Sequence, residues 1–278
     1  MIEYIDIDKV LKQRLPKQYK YLPRWLVRRL ERLIHQDELN ETLDVIGEKE
    51  GVDAADAIMT HLGIDFNVEG EENIPAEGRH LFVSNHPLGG LDGIALIALL
   101  GRRYNGEVRF LVNDLLMAVK PLRKVFLPVN KYGRQSRGTV EEIEREFAGE
   151  RQMLSFPAGL CSRRLKDGTI GDLPWQKSVV TMAVRHQRDI VPVFFAETNS
   201  KRFYRLARWR ERLGIKFNYE MILLPGELYK KRGATMRVVF GEPVSWQTLD
   251  AGHPRDEAER LRSLVHSLAG QESKQVKK

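Results

Sequence analysis

The sequence predicts an α/β fold: a largely parallel, mixed sheet flanked by helices, with an N-terminal basic amphipathic helical extension. From residue 80 onward, short runs rich in β-branched and aromatic residues alternate with segments of helical periodicity. Apolar strands separated by helices are typical of a sheet that is covered on both faces. The first 60 or so residues lack this alternation and have helical spacing instead. We therefore expect a helical extension over residues 1–70, a main domain over 71–270 and a disordered tail over 271–278.

The individual elements follow from the same patterns. Strands are predicted at the short apolar runs, which are His80–Ser84, Val108–Val112, Val125–Val129, Gln152–Phe156, Ile190–Ala196 and Met236–Phe240. Helices are predicted between and after them, at Gly93–Leu100, Gly138–Ala148, Gln176–Arg185, Phe203–Leu213 and Pro254–Leu268. In a sheet of this kind the loops at the carboxyl ends of the strands usually carry the chemistry.

Composition excludes several classes. A content of 42% hydrophobic and 30% charged residues is that of a globular fold and excludes disordered and fibrous chains. The single cysteine, Cys161, excludes a disulfide framework and favours a reducing compartment. The acidic start of the chain is unlike a secretory signal, and the longest apolar run, Ile94–Leu100, is far shorter than the roughly 20 residues that span a bilayer. We therefore expect a cytoplasmic protein, or one that binds a membrane without crossing it.

Positive charge is concentrated in blocks. The chain has a net charge of +7, and between Lys9 and Arg32 the only acidic residue is Glu31. A second basic block runs from Lys201 to Lys216. Such blocks attract polyanions, either nucleic acid or anionic lipids, although each block is also compatible with an ordinary solvated helix face.

The first basic block includes a predicted amphipathic helix. Leucines recur there at helical spacing, a tryptophan lies beside them, and arginines fill the intervening positions. A basic helix that carries a tryptophan is typical of a membrane interface, although the same apolar stripe would also suit docking on the protein's own core. The residues predicted to contact a membrane are Trp25, Leu26, Arg28, Arg29 and Leu30.

The most informative chemical signal is a histidine followed by an aspartate. A predicted strand ends just before His86, and Asp92 opens the next helix. Histidine is the side chain best suited to accept a proton near neutral pH, and a carboxylate bonded to its Nδ1 fixes the tautomer. Gly89 and Gly90 would let the backbone fold back so that the two side chains meet. Taken alone the pair is a weak signal, because an aspartate at a helix start is often only a cap.

Other catalytic motifs are absent from the sequence. It contains no Gly-x-Ser-x-Gly elbow, no Walker or Rossmann glycine loop, and no metal-ligand spacing. We therefore expect neither a metal nor a cofactor. Cys161 could in principle accept an acyl group, but only its proximity to the motifs described next supports this.

Four blocks resemble the glycerolipid acyltransferases, the group of 1-acylglycerol-3-phosphate acyltransferases. Asn85-His86 followed by Asp92 resembles the first motif of that family. The other three follow in the family's order: a strand that ends in a basic residue, a Phe-Pro-Ala-Gly turn followed by Ser-Arg-Arg, and a strand with a central proline, at Phe126–Lys131, Phe156–Arg164 and Ile190–Val193. The resemblance covers roughly residues 75–245, and four blocks in order are rarely found together by chance.

The resemblance implies an acyltransferase in which His86 is the base and Asp92 orients it. The donor would be an acyl thioester, on acyl-carrier protein or as acyl-CoA, and the acceptor the hydroxyl of a lyso-lipid. Cationic side chains would hold the acceptor's anionic head group. The predicted substrate-binding residues are Asn85, Lys131, Arg134, Gly159, Ser162, Arg163, Arg164 and Lys177.

Two departures from the family pattern bear on the acceptor. Five residues separate His86 from Asp92, where the family usually has four, and Ala158 stands where the family has a glutamate that helps to position glycerol phosphate. Both features resemble the branch that O-acylates ornithine or glycine lipids, whose acceptor is a 3-hydroxyacyl amino-acid lipid. The alternatives are a lysophosphatidic acid acyltransferase and, in a different class, a basic nucleic-acid-binding protein.

The expected partners follow from the leading interpretation. They are the acyl donor, the lyso-lipid acceptor and an anionic membrane surface, with no nucleic acid. We expect a peripheral location on the cytoplasmic face of the inner membrane. Aromatic residues are not interleaved with the basic blocks in an RNA-binding pattern, which disfavours the nucleic-acid alternative.

Overall fold

The computed structural model describes residues 4–14, 16–129, 136–215 and 217–270. The strands are β1 (Asp65–Glu69), β2 (His80–Ser84), β3 (Val108–Asn113), β4 (Phe126–Val129), β5 (Gln152–Ser155), β6 (Arg163–Arg164), β7 (Ile170–Gly171), β8 (Asp189–Phe195) and β9 (Thr235–Phe240). The helices are α1 (Ile7–Arg14), α2 (Pro16–Tyr19), α3 (Arg24–Leu33), α4 (Gln36–Ile46), α5 (Gly51–Leu62), α6 (Leu91–Arg103), α7 (Arg137–Ala148), α8 (Ser178–Arg185), α9 (Lys201–Arg212), α10 (Leu224–Tyr229) and α11 (Pro254–Ser267).

Seven strands form the main sheet, in the order β1-β9-β8-β2-β5-β3-β4. Neighbouring strands are parallel except for β8 and β9, which are antiparallel. The prediction of a largely parallel, mixed sheet with flanking helices is therefore confirmed. The short strands β6 and β7 form a separate antiparallel ladder after β5.

The predicted strands and helices correspond closely to observed ones, but the short elements β6, β7 and α10 were not predicted, and two further differences bear on the sheet and the site. The helix predicted at Gly93–Leu100 is longer and runs over Leu91–Arg103. Strand β1 was not predicted; its sequence, Asp-Phe-Asn-Val-Glu, is polar at every other position, and it lies at the edge of the sheet beside β9. An edge strand has only one neighbour, so it does not need the continuous apolar sequence of a central strand.

Strand β2 is central to the sheet and to the core. All five of its residues are buried, and it pairs with β5 on one side and β8 on the other. Phe82 faces one core cluster, which is packed under α5 and α6, whereas Leu81 and Val83 face a second cluster under α8 and α11. A strand that is buried on both faces is continuously apolar, which is why this segment is easy to recognise in the sequence.

A third, smaller core cluster lies beyond the sheet. It consists of Cys161, Phe203, Tyr204 and Leu223, with Leu33 from the end of α3 packed against it. The N-terminal helices are thus joined to the segment between β8 and β9. The division of the chain at residue 70 stays a prediction. Among the described residues, no helix is both long and apolar enough to span a membrane.

Candidate active site

The candidate site is built where β2 ends. The side chain of Asn85, just past the last residue of β2, is buried and bridges to the end of β8: its Nδ2 donates to the Phe195 carbonyl at 2.9 Å, and the Phe195 amide donates to its Oδ1 at 2.7 Å. Asn85 was predicted to bind substrate; the structure shows its amide engaged with this backbone. The two bonds fix the direction in which the chain leaves the sheet towards His86.

His86 and Asp92 are in contact. The His86 Nδ1 lies 2.9 Å from Asp92 Oδ2, and the aspartate is fully buried. The same oxygen accepts the backbone N–H of Leu88 at 2.8 Å, and the other oxygen accepts that of Gly93 at 2.9 Å. Three groups thus contact the carboxylate and fix its position. The additional residue in the His86–Asp92 spacing does not prevent the contact.

The turn between the two residues depends on Gly89. Its backbone has φ +76°, which favours glycine. A Cβ at this position would lie 2.9 Å from the side chain of Leu224 and 3.2 Å from the Cβ of Cys161. The turn from His86 to Asp92, the candidate catalytic turn, therefore packs directly against the third core cluster and the start of α10.

The imidazole of His86 is held on its face as well as at Nδ1. The ring of Phe156 stacks on it, with 4.0 Å between the ring centroids and 18° between the planes. The His86 side chain is 15% exposed. Within the described residues its Nε2 has no hydrogen-bond partner. With Nδ1–H donated to Asp92, Nε2 is the nitrogen that is available to accept a proton from a substrate.

A second carboxylate, Asp172, braces the backbone of His86. This residue is buried, and its Oδ1 accepts the His86 N–H at 3.2 Å and the Ser162 hydroxyl at 2.7 Å. Its Oδ2 accepts the indole N–H of Trp175 at 3.0 Å. The Ser162 N–H in turn donates to the His86 carbonyl at 2.7 Å. Asp172 was not among the predicted site residues.

Ser162 and Arg163 were both predicted to bind substrate, and both are buried. The Arg163 guanidinium pairs with Glu220 at 2.9 Å and donates to the Cys161 carbonyl at 2.8 Å. It also lies over the ring of Phe203, 5.3 Å from the centroid. The charge of Arg163 is therefore compensated inside the protein, where it fixes the loop that carries Ser162.

Three other predicted substrate-binding residues remain accessible. Gly159, Arg164 and Lys177 are exposed. Lys177 directly follows Gln176, whose N–H donates to the Pro157 carbonyl at 3.1 Å and thereby ties the start of α8 to the Phe-Pro-Ala-Gly turn. The remaining two, Lys131 and Arg134, lie outside the described residues.

Cys161 is not placed as a nucleophile. It is completely buried in the third core cluster, and burial raises the pKa of its thiol. A neutral, inaccessible thiol is a poor nucleophile.

No group of three or more potential metal ligands occurs in the described part of the chain.

The predicted membrane-contacting residues of α3 are divided between surface and interior. Trp25 is 63% exposed, and Arg28 and Arg29 are exposed, whereas Leu26 and Leu30 are half-buried. The buried residue of this helix is Val27. The helix thus packs on the protein through one side and leaves its tryptophan and arginines accessible.

Comparisons with known proteins show the family to which the chain belongs. An acyltransferase family model matches residues 9–271. Two lyso-glycine lipid O-acyltransferases, from Bacteroides thetaiotaomicron and Phocaeicola vulgatus, are each 46% identical over 265 residues, which cover 95% of this chain and 97% and 95% of theirs. The crystal structure of the 1-acyl-sn-glycerophosphate acyltransferase PlsC from Thermotoga maritima aligns over 90% of this chain and 95% of its own, with 16% identity and a TM-score of 0.46.

Proposed function

The chain belongs to the acyltransferase family, and we propose that it transfers a fatty acyl group from an acyl thioester to the hydroxyl of a lyso-lipid. The observation that carries this proposal is the His86–Asp92 pair, with Nδ1 bonded to the carboxylate at 2.9 Å and the histidine side chain 15% exposed. The names of the two relatives that are 46% identical support a lyso-lipid acceptor.

The proposed reaction needs one base and no metal. Nε2 of His86 takes the proton of the acceptor hydroxyl as its oxygen attacks the thioester carbonyl carbon. The resulting tetrahedral intermediate collapses, the C–S bond breaks, and the proton on Nε2 passes to the leaving thiolate. The products are an ester and a free thiol. Asp92 stabilises the imidazolium between these two transfers.

For the acceptor we propose a 3-hydroxyacyl amino-acid lipid, with glycine as the head group to test first. Ala158 packs with Trp175 in the second core cluster and is almost fully buried. A glutamate there would require burial of a carboxylate. The exposed cations Arg164 and Lys177 are the described residues that we propose to bind the lipid carboxylate. The relatives' name, lyso-glycine lipid O-acyltransferase, agrees with this choice.

The donor and the cellular location are also proposals. Acyl-carrier protein and acyl-CoA are both acyl thioesters and would undergo the same chemistry. We further propose that the protein works at an anionic membrane on the cytoplasmic face of the inner membrane, as a peripheral protein, with Trp25 and the exposed arginines of α3 at the interface.

The test is an assay with purified protein, an acyl thioester and N-(3-hydroxyacyl)glycine, with the diacylated product detected by mass spectrometry. We expect product and free thiol in equal amounts, and a loss of about 1,000-fold or more in the His86→Ala variant. An N-acylglycine that lacks the 3-hydroxyl is the matched control and should release no thiol. A His86→Ala variant that keeps full activity would contradict the mechanism.

The same assay distinguishes the alternative acceptor. If lysophosphatidic acid is acylated and N-(3-hydroxyacyl)glycine is not, the chemistry of the proposal stands and its acceptor is wrong.

A further inference from the structure

Helix α9 presents an exposed face that mixes arginine with large apolar side chains. Phe203, Tyr204 and Ala207 are buried on one side of the helix. The opposite side carries Trp209, which is 59% exposed, and Leu213, at 64%, with exposed arginines between them. These residues recur every three or four positions and so share one face. Phe217, just past the end of the helix, is 78% exposed. We call this surface the α9 patch, formed by Arg205, Arg208, Trp209, Arg212, Leu213 and Phe217.

The α9 patch is held in a defined position. Arg210 is buried on the inner side of α9; its Nε lies 2.9 Å from Glu220 Oε2, and its guanidinium donates to the Ile215 carbonyl at 3.0 Å. The Ile215 N–H donates back to the Arg210 carbonyl at 3.1 Å. These bonds close the end of the helix as far as Ile215. Trp209 and Leu213 are thus part of a fixed surface.

The arginines of the α9 patch are available to a partner. The acidic side chains nearest in sequence are already engaged, since Glu211 pairs with Arg210 and Glu220 pairs with both Arg163 and Arg210. Over residues 4–14, 16–129, 136–215 and 217–270, none of the patch arginines forms an ion pair. Uncompensated arginines beside an exposed tryptophan and phenylalanine are the composition that binds an anionic lipid–water interface.

The inner side of α9, opposite the α9 patch, lies close to the proposed chemistry. Phe203 and Tyr204 of α9 lie in the third core cluster together with Cys161 and Leu223. The catalytic turn packs on the same cluster, since a Cβ at Gly89 would lie 3.2 Å from Cys161. In addition, Asn199, just before α9, donates from Nδ2 to the Pro87 carbonyl at 3.0 Å. A single layer of side chains therefore separates the catalytic turn from the helix that carries the patch.

We propose that the α9 patch binds the surface of an anionic bilayer, and that this binding brings the catalytic turn close to the membrane in which a lyso-lipid lies. Trp209, Leu213 and Phe217 enter the interface, while Arg205, Arg208 and Arg212 contact lipid phosphates. This inference deepens the proposed function, because it names the surface from which the acceptor arrives. The patch is separate from α3 and contacts the membrane in addition to it.

Two other occupants fit the α9 patch less well. A second copy of the chain would place like-charged arginines against each other, which opposes association. An acidic carrier protein would be attracted by the arginines, but its binding would not require three large apolar side chains to be exposed among them. A lipid surface is the occupant that takes up apolar side chains and attracts the arginines at the same time.

The test is co-sedimentation of the full-length chain with vesicles of phosphatidylcholine, with and without phosphatidylglycerol. Arg205→Gln combined with Arg208→Gln should reduce partitioning onto the anionic vesicles about 30-fold, and this loss should disappear at high salt. Trp209→Ser combined with Phe217→Ser should reduce it on the order of 100-fold at any salt concentration. Both variants should keep wild-type turnover with acceptor dispersed in detergent.

The matched controls are exposed residues elsewhere. Arg145→Gln with Arg255→Gln removes the same charge from α7 and α11, and Val140→Ser removes an exposed apolar side chain from α7. These variants should sediment like the wild type. Equal thermal unfolding midpoints for all variants would show that they fold normally.

Three outcomes would overturn the proposal. In the first, the patch variants bind vesicles as well as the wild type does. In the second, they lose affinity for acyl-loaded carrier protein while their vesicle binding is unchanged. In the third, their oligomeric state in solution differs from that of the wild type. Vesicle binding that depends on the patch, in a protein with no turnover on any lyso-lipid, would instead contradict the proposed function and leave the docking surface intact.

Discussion

Two buried carboxylates contact the His86 segment from different loops, and they hold different parts of it. Asp92, from the start of α6, bonds to the imidazole Nδ1 at 2.9 Å. Asp172, from the loop before α8, bonds to the His86 backbone N–H at 3.2 Å. One carboxylate therefore contacts the imidazole ring, and the other contacts the backbone that carries it. In the proposed mechanism Asp92 stabilises the imidazolium, whereas Asp172 only positions the base.

The two carboxylates also differ in what else depends on them. Besides the ring, Asp92 accepts two backbone N–H groups within its own turn, from Leu88 and Gly93. Asp172 instead joins three segments, since it binds His86, Ser162 and Trp175. Loss of Asp92 should therefore impair mainly the chemical step. Loss of Asp172 should impair both stability and the placement of the base.

The largest effect is expected from Asp92→Asn. An amide in place of the carboxylate can present its NH₂ group to Nδ1, which favours the wrong tautomer and leaves no negative charge for the imidazolium. We expect kcat to fall roughly 1,000- to 10,000-fold with little change in KM. Steady-state kinetics with N-(3-hydroxyacyl)glycine measure this, with thermal unfolding as the folding control. A loss below tenfold would show that Asp92 only holds the turn before α6, through the Leu88 and Gly93 N–H groups.

The next effect is expected from Asp172→Asn. Its oxygen can still accept from His86 and Ser162, but its NH₂ would then face the indole N–H of Trp175. Displacement of the histidine by a fraction of an ångström should lower kcat up to about 100-fold and lower the unfolding temperature.

A second substitution distinguishes positioning from chemistry at Asp172. Trp175→Phe removes the opposing donor, so the Asp172→Asn/Trp175→Phe double variant should recover part of the lost kcat and of the lost stability. The corresponding addition of Trp175→Phe to Asp92→Asn should recover nothing. If Asp172→Asn is not improved by Trp175→Phe, the three-way brace does not operate as described.

The same two carboxylates show how far the sequence could predict this site. His86 and Asp92 are six positions apart, so a local motif is sufficient to join them. Asp172 is 86 positions from His86 and lies in a stretch with the composition of a polar loop, where no local pattern marks it. Arg163 was expected to bind substrate because nothing near it in the sequence indicates a partner. Its buried partner, Glu220, is 57 positions away.

In the fold, too, features with a local sequence pattern were predicted and features without one were not. The central strands were predicted because burial on both faces makes them continuously apolar, as in β2. Strand β1 was missed because it is an edge strand that is polar at every other position, and its pairing of Asp65 with Thr235 leaves no trace in the local sequence. Contacts between distant segments are thus the part that required the structure.

A smaller effect is expected from Phe156→Leu, which tests the face of the imidazole. The stacked phenyl ring, 4.0 Å from the His86 ring centroid, limits rotation of the imidazole away from Asp92. Leucine fills much of the volume but offers no flat surface, and the loss of such a ring contact corresponds to about a fivefold lower kcat. Phe156→Tyr keeps the flat ring and should stay closer to the wild type. Equal kcat for the two variants would exclude a role for stacking.

The smallest effect is expected from Ser162→Ala, because it removes only one of the bonds on the Asp172 side. The hydroxyl that donates to Asp172 at 2.7 Å is lost, while the Ser162 backbone N–H still donates to the His86 carbonyl at 2.7 Å. Loss of one buried hydrogen bond to a carboxylate should lower the free energy of unfolding by about 2 kcal/mol and kcat by about threefold. Denaturant unfolding and kinetics on the same preparation measure both. A loss as large as that of Asp92→Asn would mean that Ser162 contacts the substrate, and the distinction between the two sides of His86 would then fail.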